Sequence, residues 1–224
     1  GNLKKFGLDD IDGSLEVVDK NYNFNSPPAD PEPYLVFSDD NRCKVGDSGS
    51  PVSYDDSGIC GISSYWSAND SILVDFGGAG GQLVSNTSTP DSRTVKTLIG
   101  TSLEDFNIDN ENIDAALLDL ELEEDVDPLI QFVRGYNTLD EDVDPATIRP
   151  WVMGDVLHSR PLVVNYNKTD QEDKTYIFVG TNGGVLHAFD DADGGEEWAF
   201  IPDAILPKLK YLNEAEHSYF VDGS

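Results

Sequence analysis

The chain has 224 residues, enough for one large domain or two small ones, and all-β domains often use this length as a single unit. Its 43 Asp and Glu against 14 Lys and Arg give a formal net charge of −29, a field that repels phosphate backbones and anionic membranes and so argues against nucleic-acid binding. Charge of this sign suits solubility in a salty environment or the recruitment of cations and basic partners, and no run of about 18 apolar residues is available to span a membrane.

Residues 1–20 open with a short strand-like run and return through Asp-Gly to "SLEVVD", the pattern of a hairpin. A glycine at position 1 directly before a strand reads as the start of a piece excised from a longer protein; if the protein is exported, its signal lies upstream. Prolines and acidic residues over 21–40 indicate a long exposed loop. The following Gly46-Asp47-Ser48-Gly49-Ser50-Pro51 resembles the nucleophile loop of trypsin-like serine proteases. A serine hydroxyl needs a histidine to take its proton, and all three histidines, His158, His187 and His217, follow Ser48, whereas that family places its histidine first. Gly, Asp, Ser and Pro are also the ordinary residues of turns, so a structural loop is expected and Ser48 is given no catalytic role. On either side of this loop stand Cys43 and Cys60, the only cysteines. In an exported protein they suit a loop-closing disulfide worth about 3 kcal/mol; two buried thiols are the alternative. A zinc site is not expected, because no histidine or further cysteine lies near. The run Gly77-Gly78-Ala79-Gly80-Gly81 is read as a flexible turn, since no helix is expected after it to make it a phosphate cradle.

Helical signals fall in one acidic region. Leu117, Leu118, Leu120 and Leu122 cluster there, Ser102 with Asp105 resembles a capping box, and Gly135 is placed to end a helix that starts near Pro128. No Lys or Arg occurs between Lys96 and Arg134, so the acidic face is expected in solvent, with cation binding the alternative. From Arg149 the texture becomes β-rich: "TYIFVG", "GVLHAFD" and "EEWAFIP" are successive strands joined by Thr181-Asn182-Gly183 and Asp193-Gly194-Gly195, both hairpin signals. Three strands meandering with tight turns make most of a propeller blade. His158, His187 and His217 form no zinc pattern and are read as structural, and Trp151 and Trp198 as core.

The run from Ala188 to Trp198, "AFDDADGGEEW", resembles the "A-x-D-x-x-T-G-x-x-x-W" blade motif of quinoprotein-type propellers. The resemblance gives Asp190 and Gly194 the turn and Trp198 the packing between blades, with Asp193 standing in the threonine position. More of the chain is similar to the PilY/PilC family of type IV pilus tip proteins: "GNLKKF", "SYWS…GGAGGQL", "LIQFVRGYN…RPWVMGDVLHSRPLVVNY", "IFVGTNGGVLHAFD" with "EEWAFIP", and "HSYFVDGS", in that order. The ordered set resembles the first part of that family's C-terminal β-propeller domain. It implies an all-β fold of partial, quinoprotein-like propeller blades with an irregular, partly helical acidic insertion. Residues 1–20 are then opening propeller strands, 21–100 a loop-rich insertion with the disulfide, 101–148 the acidic, partly helical segment and 149–224 the blade region. The implied function is a non-enzymatic pilus tip and assembly protein, exported through the periplasm and outer membrane to the cell surface. It would act in adhesion to host or abiotic surfaces and in pilus extension and retraction, with minor pilins and the remainder of its own propeller, expected after Ser224, as partners. The alternative from another class is a quinoprotein-like propeller dehydrogenase or a propeller scaffold fragment; the former needs repeated copies of a motif seen once. Members of the family are calcium-regulated. Asp140, Asp142 and Asp144 alternate like the opening ligands of a calcium loop but lack the turn glycine and distal glutamate, and a solvated acidic turn is the other reading; the calcium loop could equally lie beyond Ser224.

Overall fold

The computed structural model describes residues 3–11, 14–18, 24–25, 64–66, 77–84, 90–140, 142–166 and 174–213. Cys43, Cys60, the Ser48 loop, His217 and "HSYFVDGS" lie outside them. The chain divides into two units, residues 2–81 and residues 82–224, of which the second carries most of the described elements.

In the first unit, β1 (Gly7–Ile11) pairs antiparallel with β2 (Ser14–Val18), with Gly7 opposite Val18 and Ile11 opposite Ser14, the hairpin expected at the start. The expectation of a flexible glycine turn is corrected: a helix, α1 (Gly78–Val84), occupies that stretch. Gly77 and Gly78 take positive φ, 62° and 59°, which a side chain would strain, and they let the chain turn into the helix. Ala79 and Leu83, one turn apart on one face, are both buried. That burial offsets the entropy that glycines lose in a helix, a tertiary effect local pattern does not carry.

The second unit is built on one open six-stranded sheet in the order β4-β3-β8-β7-β6-β5, so the chain is predominantly β as expected, and the sheet does not close on itself. Its elements are β3 (Val95–Ile99), β4 (Ser102–Asp105), β5 (Leu162–Tyr166), β6 (Lys174–Gly180), β7 (Leu186–Asp190) and β8 (Glu196–Ile201). The three strands read from the sequence are β6, β7 and β8, and β5 before them completes an antiparallel meander of four. Beyond it, β3 joins β8 in parallel, Val95 opposite Ala199, and β4 returns antiparallel on β3.

Helix α2 (Val126–Arg134) is the one expected near Pro128. Pro128 sits in its first turn, where a missing N–H costs no intrahelical bond. Val126, Leu129, Ile130 and Val133 repeat at helical spacing and are all buried, and the Gly135 N–H closes the end on the Gln131 and Phe132 carbonyls. Other helical signals in this region are corrected. Ser102 and Asp105 do not cap a helix; they bound β4, because Gly100, at φ 62°, makes the tight turn that folds β4 back on β3. The leucine-rich stretch after it runs through turns. Asn107, Asn110 and Asp114 each accept a bond from a backbone N–H two or three residues on, and such side-chain bonds compete with a helix. Leu118 is nonetheless fully buried, in a core shared with Val95, Phe106, Ile130, Ile201 and Leu209. A 3-10 segment, Asp203–Asn213, follows β8 and brings Leu206 and Leu209 to that core.

Candidate functional site: the turn between two central strands and the ion network beside it

Between β7 and β8 the chain makes the turn that carries the blade motif. The Gly194 N–H donates to the Asp190 carbonyl (2.8 Å), the Asp190 N–H donates to the Gly195 carbonyl (2.9 Å), and the Ala192 N–H donates to the Asp190 carboxylate (2.9 Å). Gly194 sits at φ 75°, where only glycine is unstrained. Asp193, in the threonine position, accepts the Gly195 N–H at 2.8 Å, so its carboxylate supplies the acceptor that a hydroxyl would otherwise give. Trp198 is half-buried, its ring 5.6 Å from Phe178 on the next strand but one.

The register slips by one residue between Ala188 and Phe189, so that Glu196 faces Phe189. A bulge that shifts register moves side chains to the other face, and here it puts the Glu196 carboxylate on the face of His187 and Phe189. His187 Nδ1 lies 2.7 Å from Glu196 Oε1, and its ring stacks on Phe189. Arg93, just before β3, grips the same carboxylate with both arms of its fork, Nε to Oε2 at 2.7 Å and Nη2 to Oε1 at 2.9 Å. Its remaining nitrogen donates to the Arg134 carbonyl at 2.6 Å, so one side chain ties β8, β3 and the end of α2 together. Arg134 in turn donates to the carbonyls of Phe106, Pro90, Asp91 and Arg93.

Burial alone would raise the Glu196 carboxyl, but the Arg93 guanidinium and the His187 hydrogen bond outweigh it and hold the group well below the usual carboxylate range. Burial, followed by repulsion from Arg93, lowers Arg134. The same two causes bring Arg149 down to about 10; its guanidinium lies 4.1 Å from the Phe132 ring, and its Nε is buried with no hydrogen-bond partner.

Thr181 Oγ1 stands 3.4 Å from His187 Nε2, which completes a hydroxyl, imidazole and carboxylate in sequence. The order imitates a catalytic triad, but Thr181 is 0% and His187 2% exposed, and the Thr181 hydroxyl also reaches the Val185 carbonyl. No substrate carbonyl can approach such a hydroxyl. The arrangement is a buried polar lock between strands. His187 is thus the structural histidine expected, whereas Arg93, Arg134, Thr181 and Glu196 carried no sequence signal as a group.

The remaining candidates lie apart. His158 is exposed in the irregular stretch before β5. Asp140 accepts the Asp142 N–H and Asp144 the Ala146 N–H, which makes two consecutive side-chain-closed turns. Among the described residues no three His, Cys, Asp or Glu side chains gather closely enough to hold a metal. No described helix is long and apolar enough to cross a membrane.

No family model matches the chain, and no solved structure matches it. Curated proteins do. It is 32% identical over 120 residues, 42% of its length, to the type IV pilus biogenesis factor PilY1 of Pseudomonas aeruginosa, covering 10% of that protein. It is 30% identical over 156 residues, 59% of its length, to a PilY1 homolog of Xylella fastidiosa, covering 12% of it. A shorter stretch of 50 residues is 50% identical to a Xylella fastidiosa protein of the same description. The match therefore spans about a tenth of the length of these relatives. The resemblance read from the sequence is borne out: the chain is similar, over part of its length, to PilY1-like type IV pilus biogenesis factors.

Proposed function

We propose that this chain is part of a non-enzymatic type IV pilus assembly protein, displayed at the cell surface at the pilus tip. There it would support adhesion and pilus extension and oppose retraction. The observation that carries the reading is the similarity, at 30–32% identity, to proteins named as type IV pilus biogenesis factors. The β5–β8 meander supports a propeller, because four antiparallel strands connected in order are the unit such rings repeat. In that reading the sheet is one blade, widened by β3 and β4, and further blades of the same protein complete the ring. The buried lock suits the role: Arg93, Glu196 and His187 hold β7 and β8 to the start of β3 and the end of α2 without any chemistry of their own. Minor pilins are the proposed partners at the tip, and a calcium ion at Asp140, Asp142 and Asp144 is a proposed regulator. Binding there would require the three carboxylates, which do not gather among the described residues, to converge on the ion.

The test is deletion of the coding segment in the source organism, with surface pili and twitching motility scored. Loss of surface pili, restored when the retraction motor is also removed, is the expected result. Unchanged piliation and motility would overturn the proposal.

A further inference from the structure

The end of α2 gathers three arginines, Arg93, Arg134 and Arg149, in a chain that holds 14 basic residues against 43 acidic ones. Two of the three are fully provided for. Arg93 holds the Glu196 carboxylate and the Val133 and Arg134 carbonyls, and Arg134 donates to four carbonyls of the segments around it. Arg149 stands apart from both. Its guanidinium lies 4.1 Å from the buried Phe132 ring, its Nε is shut off from water with no hydrogen-bond partner, and among the described residues it enters no ion pair. The acceptors of this region are already taken: Glu196 by Arg93 and His187, the Asp91 carboxylate by the Tyr136 hydroxyl, and the last carbonyls of α2 by Arg93 and by the N–H groups of Gly135 and Tyr136. Repulsion from Arg93 adds to the cost of keeping this cation partly out of water. A buried donor orphaned in this way calls for a ligand, an ion or a water that completes it.

We propose that Arg149 is the anchor of a binding site for a single carboxylate group, with Phe132 as the floor of the site. Three features select that chemistry. A guanidinium offers two parallel N–H donors along its Nε edge, which match the two oxygens of a carboxylate, and Arg93 makes that same fork to Glu196. One guanidinium balances one negative charge, and the −29 of the chain opposes a dianion such as sulfate or phosphate more than it opposes a monoanion. The Phe132 ring keeps water from one side of the cation, and in such a setting a charge-assisted bond counts for more than it does in water. Arg149 keeps part of its surface in solvent, and Ile148 and Pro150 on either side of it are exposed, so the site is at the surface. The free chain hides Nε, and binding turns the side chain over the ring to bring that edge to the carboxylate. Either a free small acid or an acidic side chain of another protein segment presents this group, and the experiment separates the two.

The isotope-labelled chain is titrated with sodium acetate, and separately with sodium chloride at equal ionic strength, while the arginine Nε–H resonances are followed by NMR. A saturable shift of the Arg149 Nε–H with acetate and none with chloride is expected. Acetate should also raise the melting temperature of the chain but not that of Arg149→Met, and Arg149→Lys, which keeps the charge without the fork, should respond several-fold more weakly. Without acetate Arg149→Met should be as stable as the parent, because the aliphatic stem still covers Phe132 and the guanidinium has no ion pair there to lose. A shift that chloride reproduces, an undiminished acetate effect in Arg149→Met, or a marked loss of stability in that variant without acetate would each overturn the proposal. The protein purified from its source then identifies the carrier of the group. Equal stabilisation by acetate there assigns the site to a free acid, whereas no acetate effect together with a lowered melting temperature in Arg149→Met assigns it to a protein carboxylate. No effect of acetate or of the substitution in the source protein would refute the site.

Discussion

Removing the Glu196 carboxylate tests whether the buried lock holds the sheet together. In Glu196→Ala the Arg93 guanidinium loses both bonds of its fork and His187 loses its 2.7 Å partner, while the Arg93 bond to the Arg134 carbonyl survives. Both side chains of the ion pair are almost fully buried, at 3% and 4% exposure, so water cannot replace the lost partner. Leaving one charge of a buried pair uncompensated costs about 3–5 kcal/mol, and the surviving carbonyl bond puts the expectation near about 3 kcal/mol. Replacing both partners, Arg93→Met with Glu196→Leu, removes the charges together and should cost less than Glu196→Ala alone. Urea unfolding at neutral pH, followed by tryptophan fluorescence and far-UV circular dichroism, measures both. A single-variant loss below about 1 kcal/mol, or a double variant worse than the single, would refute the account. The same group sets a pH dependence. Its folded pKa lies below the ordinary value of 4.5, so the stabilisation is fully present above that value and is lost as pH falls below it toward the folded pKa. Glu196→Gln should flatten that acid-side loss.

Gly154→Ala should destabilise by about 1–3 kcal/mol, because an added Cβ would lie 2.2 Å from the Gly183 nitrogen and the backbone of one segment must move; a neutral melting temperature would contradict the close approach. Phe106→Ala, at a fully buried core position, should cost about 3–5 kcal/mol by denaturant titration. Asp193→Ala removes the acceptor for the Gly195 N–H and should cost about 1 kcal/mol, with Asp193→Thr restoring part of it; identical stabilities would show that the turn does not depend on that bond. Isothermal titration with calcium should show heat that is lost in a variant with Asp140, Asp142 and Asp144 all changed to Asn; unchanged binding would move the ion to another part of the protein.

Elements whose signals are local can be read from the residues alone. The strands β6, β7 and β8 were legible from short β-rich runs and the turn signals between them, and Gly194 sits in the turn that the motif gave it, at φ 75°. Helix α2 was legible from its apolar spacing and from Gly135 at its end. The likeness to type IV pilus proteins was legible from ordered short motifs, and the similarity over part of the chain to PilY1 factors agrees with it. Features that need two distant segments at once emerge only from the folded chain. Ser102 to Asp105 carry a helix-start pattern, yet β3 offers a pairing edge and they form a strand. The glycines at 77–81 have poor helix propensity, yet burial of Ala79 and Leu83 outweighs it. Arg93 and Glu196 are 103 residues apart, and only the parallel meeting of β3 with β8, together with a one-residue bulge, brings their charges to 2.7 Å. Local propensity reports what a segment does alone; a buried ion pair depends on which segments the fold brings face to face, and no spacing within either one encodes that.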